Sequence, residues 1–424
     1  MDTFYSTRRA FLKTSCLAGA AALVPGCESG GKRDSVTADP YVETRKRAAR
    51  KKRRIIMNND GNDYNNASPD EPKTPETFLA KRTTPLLGSH VDTIFYCTGV
   101  FNYYSHRSEV SELLKSDEAA SRHVHELMKY GTDSLEVMTG FCHEHSLEIF
   151  WSMRMNDNHD STIPYLLCQW KKDNPDYLIG REGDRYPYVN DKWSMVDYGV
   201  PYVREHVFSI LEDVATRYDV DGIEYDFFRH PAFFKPQFIG EPVTQYFCDM
   251  MTDLLARVRE MTEDVGRKRG RPMLIAVRIP DSVAYAKAIG LDVVRWLEDD
   301  LIDIVTGGGY FHLEPWENLV ALGKEHDVPV YACFVSRRVM GGGEPEAGTD
   351  IKLWRGEALR AWKAGVDGIY TFNRFDPSDQ LFRELGDPAL LETLDHIDQE
   401  NFAGESGYLD PGYWLRDGRS YIRS

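Results

Sequence analysis

Short apolar runs alternate with longer amphipathic segments from about residue 53 onward. The apolar runs predict eight strands, and the amphipathic segments predict a helix after each of them. Strands that alternate with helices are typical of parallel β-α units, and eight right-handed units close a barrel. The predicted strands are residues 54–60, 91–97, 147–154, 220–226, 273–278, 302–306, 329–335 and 366–372. Helices are predicted at residues 110–145, broken near Gly131, and at 202–217, 241–268, 284–298, 351–364 and 381–399.

The predicted fold class is therefore α/β, a (β/α)8 TIM barrel that forms a single domain over residues 53–400. Residues 156–196 make a long insertion after the third strand, rich in Asp, Asn, Pro and Tyr, and such loops build substrate sites in barrel enzymes. A doubly wound open sheet is the alternative, disfavoured because no Gly-x-Gly-x-x-Gly turn follows a strand. Residues 401–424 are predicted to be a tail that packs on the barrel.

The first 28 residues have the features of an export signal. Arg8 and Arg9 precede Phe-Leu-Lys and then an apolar run over residues 16–24, an order that resembles a Tat signal. Residues 23–27 resemble a lipobox in which Cys27 would carry a membrane anchor, and a signal without lipidation is the alternative. We expect a periplasmic or extracellular protein, in which residues 29–52 form a tether and a basic helix.

Charge and cysteine content exclude some classes of function. The formal net charge is −16, so nucleic acid is not an expected partner despite the basic run at residues 45–54. A solvated helix is the favoured interpretation of that run, and contact with an anionic surface or polysaccharide is the alternative. The cysteines beyond residue 28 include no CxxC pair, so neither a disulfide framework nor a structural zinc site is predicted. No cofactor and no metal site are predicted.

Polar side chains cluster where the predicted strands end, at the face of a barrel that carries the active site. Amides, carboxylates, cations and aromatic rings gathered there would suit a carbohydrate, because sugars offer hydroxyls and stacking faces. Among them Arg154, Arg278 and Arg374 could bind an anionic sugar through bidentate contacts. The candidate substrate-binding residues are Asn58, Asn59, Asp60, Asn102, Arg154, Asn156, Asp157, His159, Arg229, His230, Arg278, Tyr310, His312, Asn373 and Arg374.

The fourth predicted strand ends in two carboxylates, Glu224 and Asp226, which the two-residue period of a strand places on one face. A glycosidase needs one carboxylate as nucleophile or base and a second carboxyl group as acid. Asp226 is the candidate nucleophile or base, and Asp281, Glu314 and Glu224 are the candidate acids. Carboxyl groups about 5–5.5 Å apart would indicate retention of configuration, and about 6.5–9.5 Å inversion.

Residues 197–231, which read DYGVPYVREHVFSILEDVATRYDVDGIEYDFFRHP, resemble the barrels of glycosyl-hydrolase-like family ten. The resemblance implies an exported, carbohydrate-active barrel with Asp226 at its centre. The position of Asp226 also resembles that of the strand-four nucleophile in α-amylase-like and melibiase-like barrels. The long insertion at 156–196 departs from the simple loop common in the family, and the acid is not identified by the resemblance. The family's DVDGIxxDxxRxP pattern is matched by Asp221, Gly222, Ile223, Asp226, Arg229 and Pro231.

Two other functions remain open beside glycoside hydrolysis. A metal-dependent barrel hydrolase would normally carry His-x-His at the end of the first strand, where this chain has Asn58-Asn59-Asp60. Residues 156–160 could instead offer oxygen ligands to a divalent ion. A non-catalytic glycan-binding lipoprotein would keep the aromatic residues and tolerate the loss of Asp226.

Overall fold

The computed structural model describes residues 39–61, 63, 70–115, 122–188, 192–339, 349–398 and 407–423. The predicted Tat signal and the lipobox at Cys27 lie outside these residues, as does nearly all of the tether. None of the helices in the described part of the chain combines the length and apolar character that a membrane span requires.

Eight parallel strands close into a barrel in which each strand pairs with its neighbours in sequence, and the first pairs with the last. The predicted (β/α)8 barrel and its long insertion after the third strand are confirmed. The strands are β1 Ile55–Asn59, β2 Val91–Tyr96, β3 Glu148–Arg154, β4 Gly222–Asp226, β5 Leu274–Ile279, β6 Ile304–Gly307, β7 Val330–Phe334 and β8 Gly368–Thr371.

Helices follow the strands as the amphipathic pattern predicts, with differences in three segments. Within the described residues, the helices of six or more residues that connect or follow strands are Pro75–Arg82, Arg122–Met128, Ser134–Glu144, Pro201–Arg217, Gln245–Arg269, Val283–Ala288, Val293–Glu298, Trp316–His326, Thr349–Ala364 and Pro388–Thr393.

The predicted helix over 110–145 is wrong in its first part. Glu112–Leu113 is instead a short strand in a small sheet with Gly99–Val100 and Tyr103–Tyr104, and Asp133 starts a separate helix by accepting from the backbone N–H groups of its first turn. Residues 284–298 form two helices because Gly290 adopts a left-handed conformation between them, with φ 97°. In the last predicted helix, the described residues 381–398 contain only the end of a 3-10 turn, Gln380–Arg383, and the short helix Pro388–Thr393.

The basic segment before β1 is less solvated than predicted. Pro40–Ala49 is a helix, but Arg45 is only 1% exposed and forms ion pairs with Asp300 and Asp303, which precede β6. Arg53 is also buried, and its Nε lies 2.7 Å from Glu148 at the start of β3. These cations therefore neutralise carboxylates at the amino-terminal ends of the strands.

The barrel interior is aromatic in its lower part and charged near the carboxyl ends of the strands. The rings of Phe95 and Phe150 stack with centroids 4.5 Å apart. Gly222 leaves room for them, since a Cβ there would lie 2.2 Å from the Phe150 ring. Higher up, strand register pairs Asp226 with both Arg154 and Arg278, which brings three ionisable side chains to one level.

Candidate active site

A cavity of about 290 Å³ opens at the carboxyl ends of the strands, and we call it the mouth cavity. The insertion after β3 and the loops after β4, β6 and β8 each contribute to it, as does the tail that follows the barrel. Its described lining residues are Asn158, His159, Thr162, Lys192, Arg229, His230, Tyr310, Asn373, Tyr408 and Trp414. Five of the predicted substrate-binding residues thus share one cavity: His159, Arg229, His230, Tyr310 and Asn373.

Buried polar side chains bond the insertion to itself and to the loop after β4. Asn156 donates from Nδ2 to the carbonyls of Val196 and Ala232, both at 2.9 Å, and accepts from the Val196 N–H at 3.1 Å. Buried Lys171 donates to Asp160 at 2.6 Å. Asn156 was predicted to bind substrate, but its side chain instead bonds to backbone groups and so stabilises the loop that carries His159.

Asp226 lies at the tip of β4 beneath the mouth cavity and is 2% exposed. Arg278 Nη2 is 2.7 Å from its Oδ1 and 2.8 Å from its Oδ2, and the Phe228 N–H donates to Oδ1 at 3.0 Å. The guanidinium of Arg278 packs 4.0 Å from the centre of the Phe372 ring. The carboxylate is thus fixed in orientation by a cation that is itself buried.

Glu224 lies deeper than Asp226 on the same strand face and is fully buried. Its Oε2 accepts hydrogen bonds from Ser152 and Tyr370, while its Oε1 has no partner among the described residues. Burial and the nearby charge of Asp226 raise the pKa of Glu224 to about 8. Glu224 therefore carries a proton at neutral pH, but it does not line the cavity.

A second pair of carboxylates, Asp60 and Asp157, flanks Arg154. Arg154 Nη2 is 2.6 Å from Asp60 and Nη1 is 2.9 Å from Asp157. Burial acts against ionisation, but Arg154 and Arg229 lower the pKa of Asp60 to about 2. Asp157 is likewise opposed by burial, yet His159 and Arg154 hold its pKa well below the usual range. Both carboxylates are therefore ionised.

His159 forms a hydrogen-bonded pair with Asp157. Its Nδ1 lies 2.8 Å from Asp157 Oδ1, its backbone N–H donates to the same oxygen at 2.9 Å, and its ring lines the mouth cavity. The Nε2 atom is 3.3 Å from Arg229 Nη2 and so accepts from the guanidinium. A carboxylate that bonds to Nδ1 orients the imidazole ring and leaves Nε2 as the nitrogen that can exchange a proton with another group.

The residues Asp157, His159 and His230 also offer ligand atoms within 4.8 Å of one another, which is close enough for a metal ion. Their present contacts compete with that use. Arg154 and His159 already occupy the Asp157 carboxylate, and Arg229 lies 3.3 Å from His159. One carboxylate and two imidazoles are suitable ligands for a metal ion, but the positive charges of Arg154 and Arg229 lie next to them.

Two aromatic residues of the tail complete the cavity wall, and the sequence analysis did not identify them. Tyr408 packs against Tyr310 with ring centroids 5.2 Å apart, and Trp414 lies 5.9 Å from the His230 ring. The tail is tied to the loops at the barrel mouth, because Gln237 donates to the Trp414 carbonyl at 2.9 Å. Aromatic residues near the chain terminus were the only available signal.

Other predicted site residues form a separate cluster between the β5 and β6 loops. Asp281 accepts from Arg338 at 3.2 Å and from the Leu313 N–H at 3.1 Å, and burial raises its pKa to about 6. Glu314 accepts from Ser282 and Asn318, and His312 bonds to the Glu314 carbonyl. Asp281, Glu314 and His312 do not line the mouth cavity.

The remaining candidates also lie away from the cavity lining. Arg374 is paired with Asp379 and packs over the Trp354 ring at 4.9 Å. Asn102, in the turn between two strands of the small sheet, accepts from His206 of the helix Pro201–Arg217, and Asn59 organises the turn after β1 by accepting from the Gly61 N–H. Asn58 is buried, and its Oδ1 has no partner within the described ranges.

No protein-family model matches the chain, and no curated protein matches it. The glycoside hydrolase domain of PgaB (BpsB) from Bordetella bronchiseptica is similar in structure, with 10% identity, a TM-score of 0.48 and coverage of 80% of this chain and 98% of that one. Alpha-L-fucosidase isoenzyme 2 from Paenibacillus thiaminolyticus is also similar, with 13% identity and a TM-score of 0.47. The match covers 81% of this chain and 49% of that one, so this chain spans about half the length of the fucosidase.

A glycoside hydrolase family 18 N-acetylglucosaminidase from Paenibacillus barengoltzii is also similar. It has 11% identity and a TM-score of 0.44, and the match covers 80% of this chain and 99% of that one. Identities this low carry no argument about activity, which must come from the site. Membership of glycosyl-hydrolase-like family ten stays a prediction.

Proposed function

We propose that the protein is a glycoside hydrolase that cleaves a glycosidic bond in a poly- or oligosaccharide at the carboxyl face of its barrel. One observation carries the proposal: an oriented, ion-paired carboxylate, Asp226, ends β4 three residues before Arg229 and interacts electrostatically with Tyr310, and both of these residues line a small cavity with amides, hydroxyls and aromatic rings. Such linings suit a sugar, and a carboxylate is the group that reacts at an anomeric carbon in most glycosidases.

In this proposal Asp226 is the nucleophile or the base. Arg278 fixes the plane of the carboxylate, which lowers the cost of ordering it in the transition state. The developing positive charge on the sugar ring would then lie near a fixed negative charge in a site from which water is largely excluded.

Substrate must first gain access to Asp226. Arg229 donates to the Tyr310 hydroxyl, both residues line the mouth cavity, and Asp226 does not. We therefore propose that this hydrogen bond limits access to Asp226, and that it breaks when sugar hydroxyls bind to Arg229 and Tyr310 in its place. A local opening of this kind is common in enzymes that close over substrate.

Proton transfer to or from the glycosidic oxygen or water is assigned to His159. It is the cavity-lining residue with a carboxylate on its Nδ1, whereas Asp281 and Glu314 lie in the other cluster and Glu224 lies below Asp226. Asp157 is a positioning residue, since it holds the ring through Nδ1 and is not among the described residues that line the cavity.

A non-catalytic glycan-binding protein is the second candidate, and a specific observation favours it. No carboxylate is among the described residues that line the mouth cavity, and Asp60, Asp157 and Asp226 are each occupied by an arginine. If the Arg229–Tyr310 contact never opens, the cavity binds a sugar without turnover.

The test is product release from neutral, uronic and sulfated oligosaccharides by wild type and by Asp226→Asn. We expect release by wild type and at least about a hundredfold lower kcat/KM in the variant, because a reacting group is lost. Asp303→Asn is the matched control, since Asp303 is equally buried and arginine-paired but lies at the opposite end of the barrel. Equal activity of Asp226→Asn and wild type would refute the role of Asp226. Sugar binding without release by any variant would favour the second candidate.

A further inference from the structure

Two carboxyl groups at the end of β4 face one guanidinium group. Glu224 and Asp226 lie on the same face of the strand, and both side chains are buried. Arg278 interacts with both, but the ion pair that it forms is with Asp226, whose two oxygens lie 2.7 and 2.8 Å from Nη2. Arg154, next to Asp226 on β3, is held by two other carboxylates. The strand end thus has two acidic groups against one cation.

The side chains that reach Glu224 or Arg278 from other strands add no charge. Tyr370 on β8 donates to Glu224 Oε2 at 3.1 Å, and burial raises the pKa of its hydroxyl well above the usual range. Ser152 on β3 donates to the same oxygen. Cys333 on β7 lies 3.9 Å from Arg278 Nη1, and burial raises the pKa of its thiol to about 12. The charge of this buried cluster therefore depends on Glu224, Asp226 and Arg278.

Ionisation of both carboxyl groups is unfavourable, because two like charges that face one cation in a buried site oppose each other. Burial and the charge of Asp226 raise the pKa of Glu224 to about 8, so Glu224 is a neutral acid at neutral pH. Above that pH it becomes a second anion beside Arg278. The guanidinium group then has two carboxylates to which it can bind, where before it had one.

We propose that Glu224 is a positioning residue for Asp226: as a neutral acid it leaves Arg278 to Asp226, and as an anion it draws the guanidinium group away. Asp226 then loses the fixed orientation that the reaction needs. Glu224 makes no contact with substrate in this role, since it is not among the described residues that line the mouth cavity. The inference rests on the proposed function and adds a residue to that same site.

The first test is the pH profile of kcat/KM for wild type, Glu224→Gln and Glu148→Gln on a saccharide that wild type cleaves. We expect the wild-type value to fall about thirtyfold from pH 7 to pH 9.5, because the neutral fraction of Glu224 falls about tenfold per pH unit above 8. The fall should disappear in Glu224→Gln, which cannot ionise. Glu148→Gln is the matched control and should keep it, since Glu148 is a buried strand glutamate paired with Arg53 at the opposite end of the barrel.

Ser152→Ala tests the same role with Glu224 intact. The Ser152 hydroxyl stabilises the ionised form of Glu224, so its removal should move the alkaline fall upward by roughly half to one pH unit. A merely structural Glu224 would give no such movement. The inference is overturned by a fall that persists in a Glu224→Gln variant that melts like wild type, or by one that keeps its position in Ser152→Ala.

Two measurements decide the inference without turnover. Infrared spectra should show a protonated carboxyl band at pH 7 that is missing from Glu224→Gln and that wild type loses as the pH rises through 8. Crystal structures of wild type at pH 7 and pH 9.5 should show Arg278 moving from Asp226 toward Glu224. An identical Arg278–Asp226 contact at both pH values overturns the inference even if glycans are cleaved. Movement of Arg278 without cleavage of any glycan would instead refute the glycosidase proposal, so the two failures are distinguishable.

Discussion

Arg229 donates a hydrogen bond to the Tyr310 hydroxyl, and the two side chains line the mouth cavity above Asp226. Removing the acceptor should make this contact easier to open. In Tyr310→Phe we expect a water-soluble carbodiimide to modify Asp226 roughly tenfold faster than in wild type, since a hydrogen bond to a charged group contributes about 1.5–3 kcal/mol. Peptide mass spectrometry measures the rate at Asp226, with Asp303 as internal control. An unchanged rate at Asp226 would show that this contact does not limit access.

The Asp157–His159 pair predicts the effect of two substitutions on turnover. His159→Gln should lower kcat by about 10²–10⁴-fold, because the variant cannot exchange a proton. Asp157→Asn should lower kcat less, since only the hydrogen bonds that position the ring are weakened. His326→Gln, at the end of the helix Trp316–His326, is the matched control. An unchanged kcat in His159→Gln would assign proton transfer elsewhere.

The buried proton of Glu224 predicts a loss of stability toward alkaline pH. The native state keeps this proton up to a pKa of about 8, whereas the unfolded chain releases it near the ordinary value of 4.5. Between pH 4.5 and pH 8 unfolding therefore releases a proton from Glu224. Its contribution to the free energy of unfolding is fully present below pH 4.5 and is lost as the pH rises toward 8. Glu224→Gln should gain stability relative to wild type over that range, on the order of a few kcal/mol.

Denaturant melts of wild type and Glu224→Gln at pH 5 and pH 8.5 measure the effect, with Glu317→Gln at an exposed position as the control. A constant difference between wild type and Glu224→Gln across this range would mean that Glu224 is ionised in the native state.

The tail predicts two distinct outcomes at the cavity wall. Trp414 is fully buried, so Trp414→Ala should destabilise the protein by about 3–5 kcal/mol, measured by denaturant melts. Tyr408 is 36% exposed, so Tyr408→Ala should weaken sugar binding by roughly tenfold with little change in stability, as loss of a stacking surface does. Binding unaffected by Tyr408→Ala would exclude its ring from the sugar site.

Asp157, His159 and His230 make metal dependence testable. Because arginines adjoin this trio, we expect EDTA treatment to leave activity unchanged and elemental analysis to find well below one metal per chain. One equivalent of zinc or another divalent metal, lost together with activity, would instead support the metal-dependent hydrolase that the sequence left open.

The barrel could be predicted from sequence because each strand is a short apolar run next to an amphipathic helix. The sequence also places two carboxylates, Glu224 and Asp226, at the end of β4. Their environments could not be predicted, because they depend on strand register. The partners Arg278 and Arg154 come from β5 and β3, which are far apart in the chain.

For loop residues the sequence indicated the type of side chain but not where it would lie, for a related reason. Asp281 and Glu314 follow strands and have the correct chemistry, but contacts with Arg338 and Ser282 hold them in another cluster. Lys192, Tyr408 and Trp414 reach the cavity from an irregular insertion and from the tail. Neither segment has a periodic pattern from which the direction of a side chain could be deduced.

The tail also determines when the binding site can exist during synthesis. Tyr408 and Trp414 follow all eight strands in the chain, so a nascent polypeptide can close its barrel before these two residues have left the ribosome. A product that terminates before Tyr408 would contain all eight strands and both partners of the Asp226–Arg278 ion pair, but it would lack part of the wall of the mouth cavity. Translation must therefore pass the last strand by at least forty residues before that wall is complete.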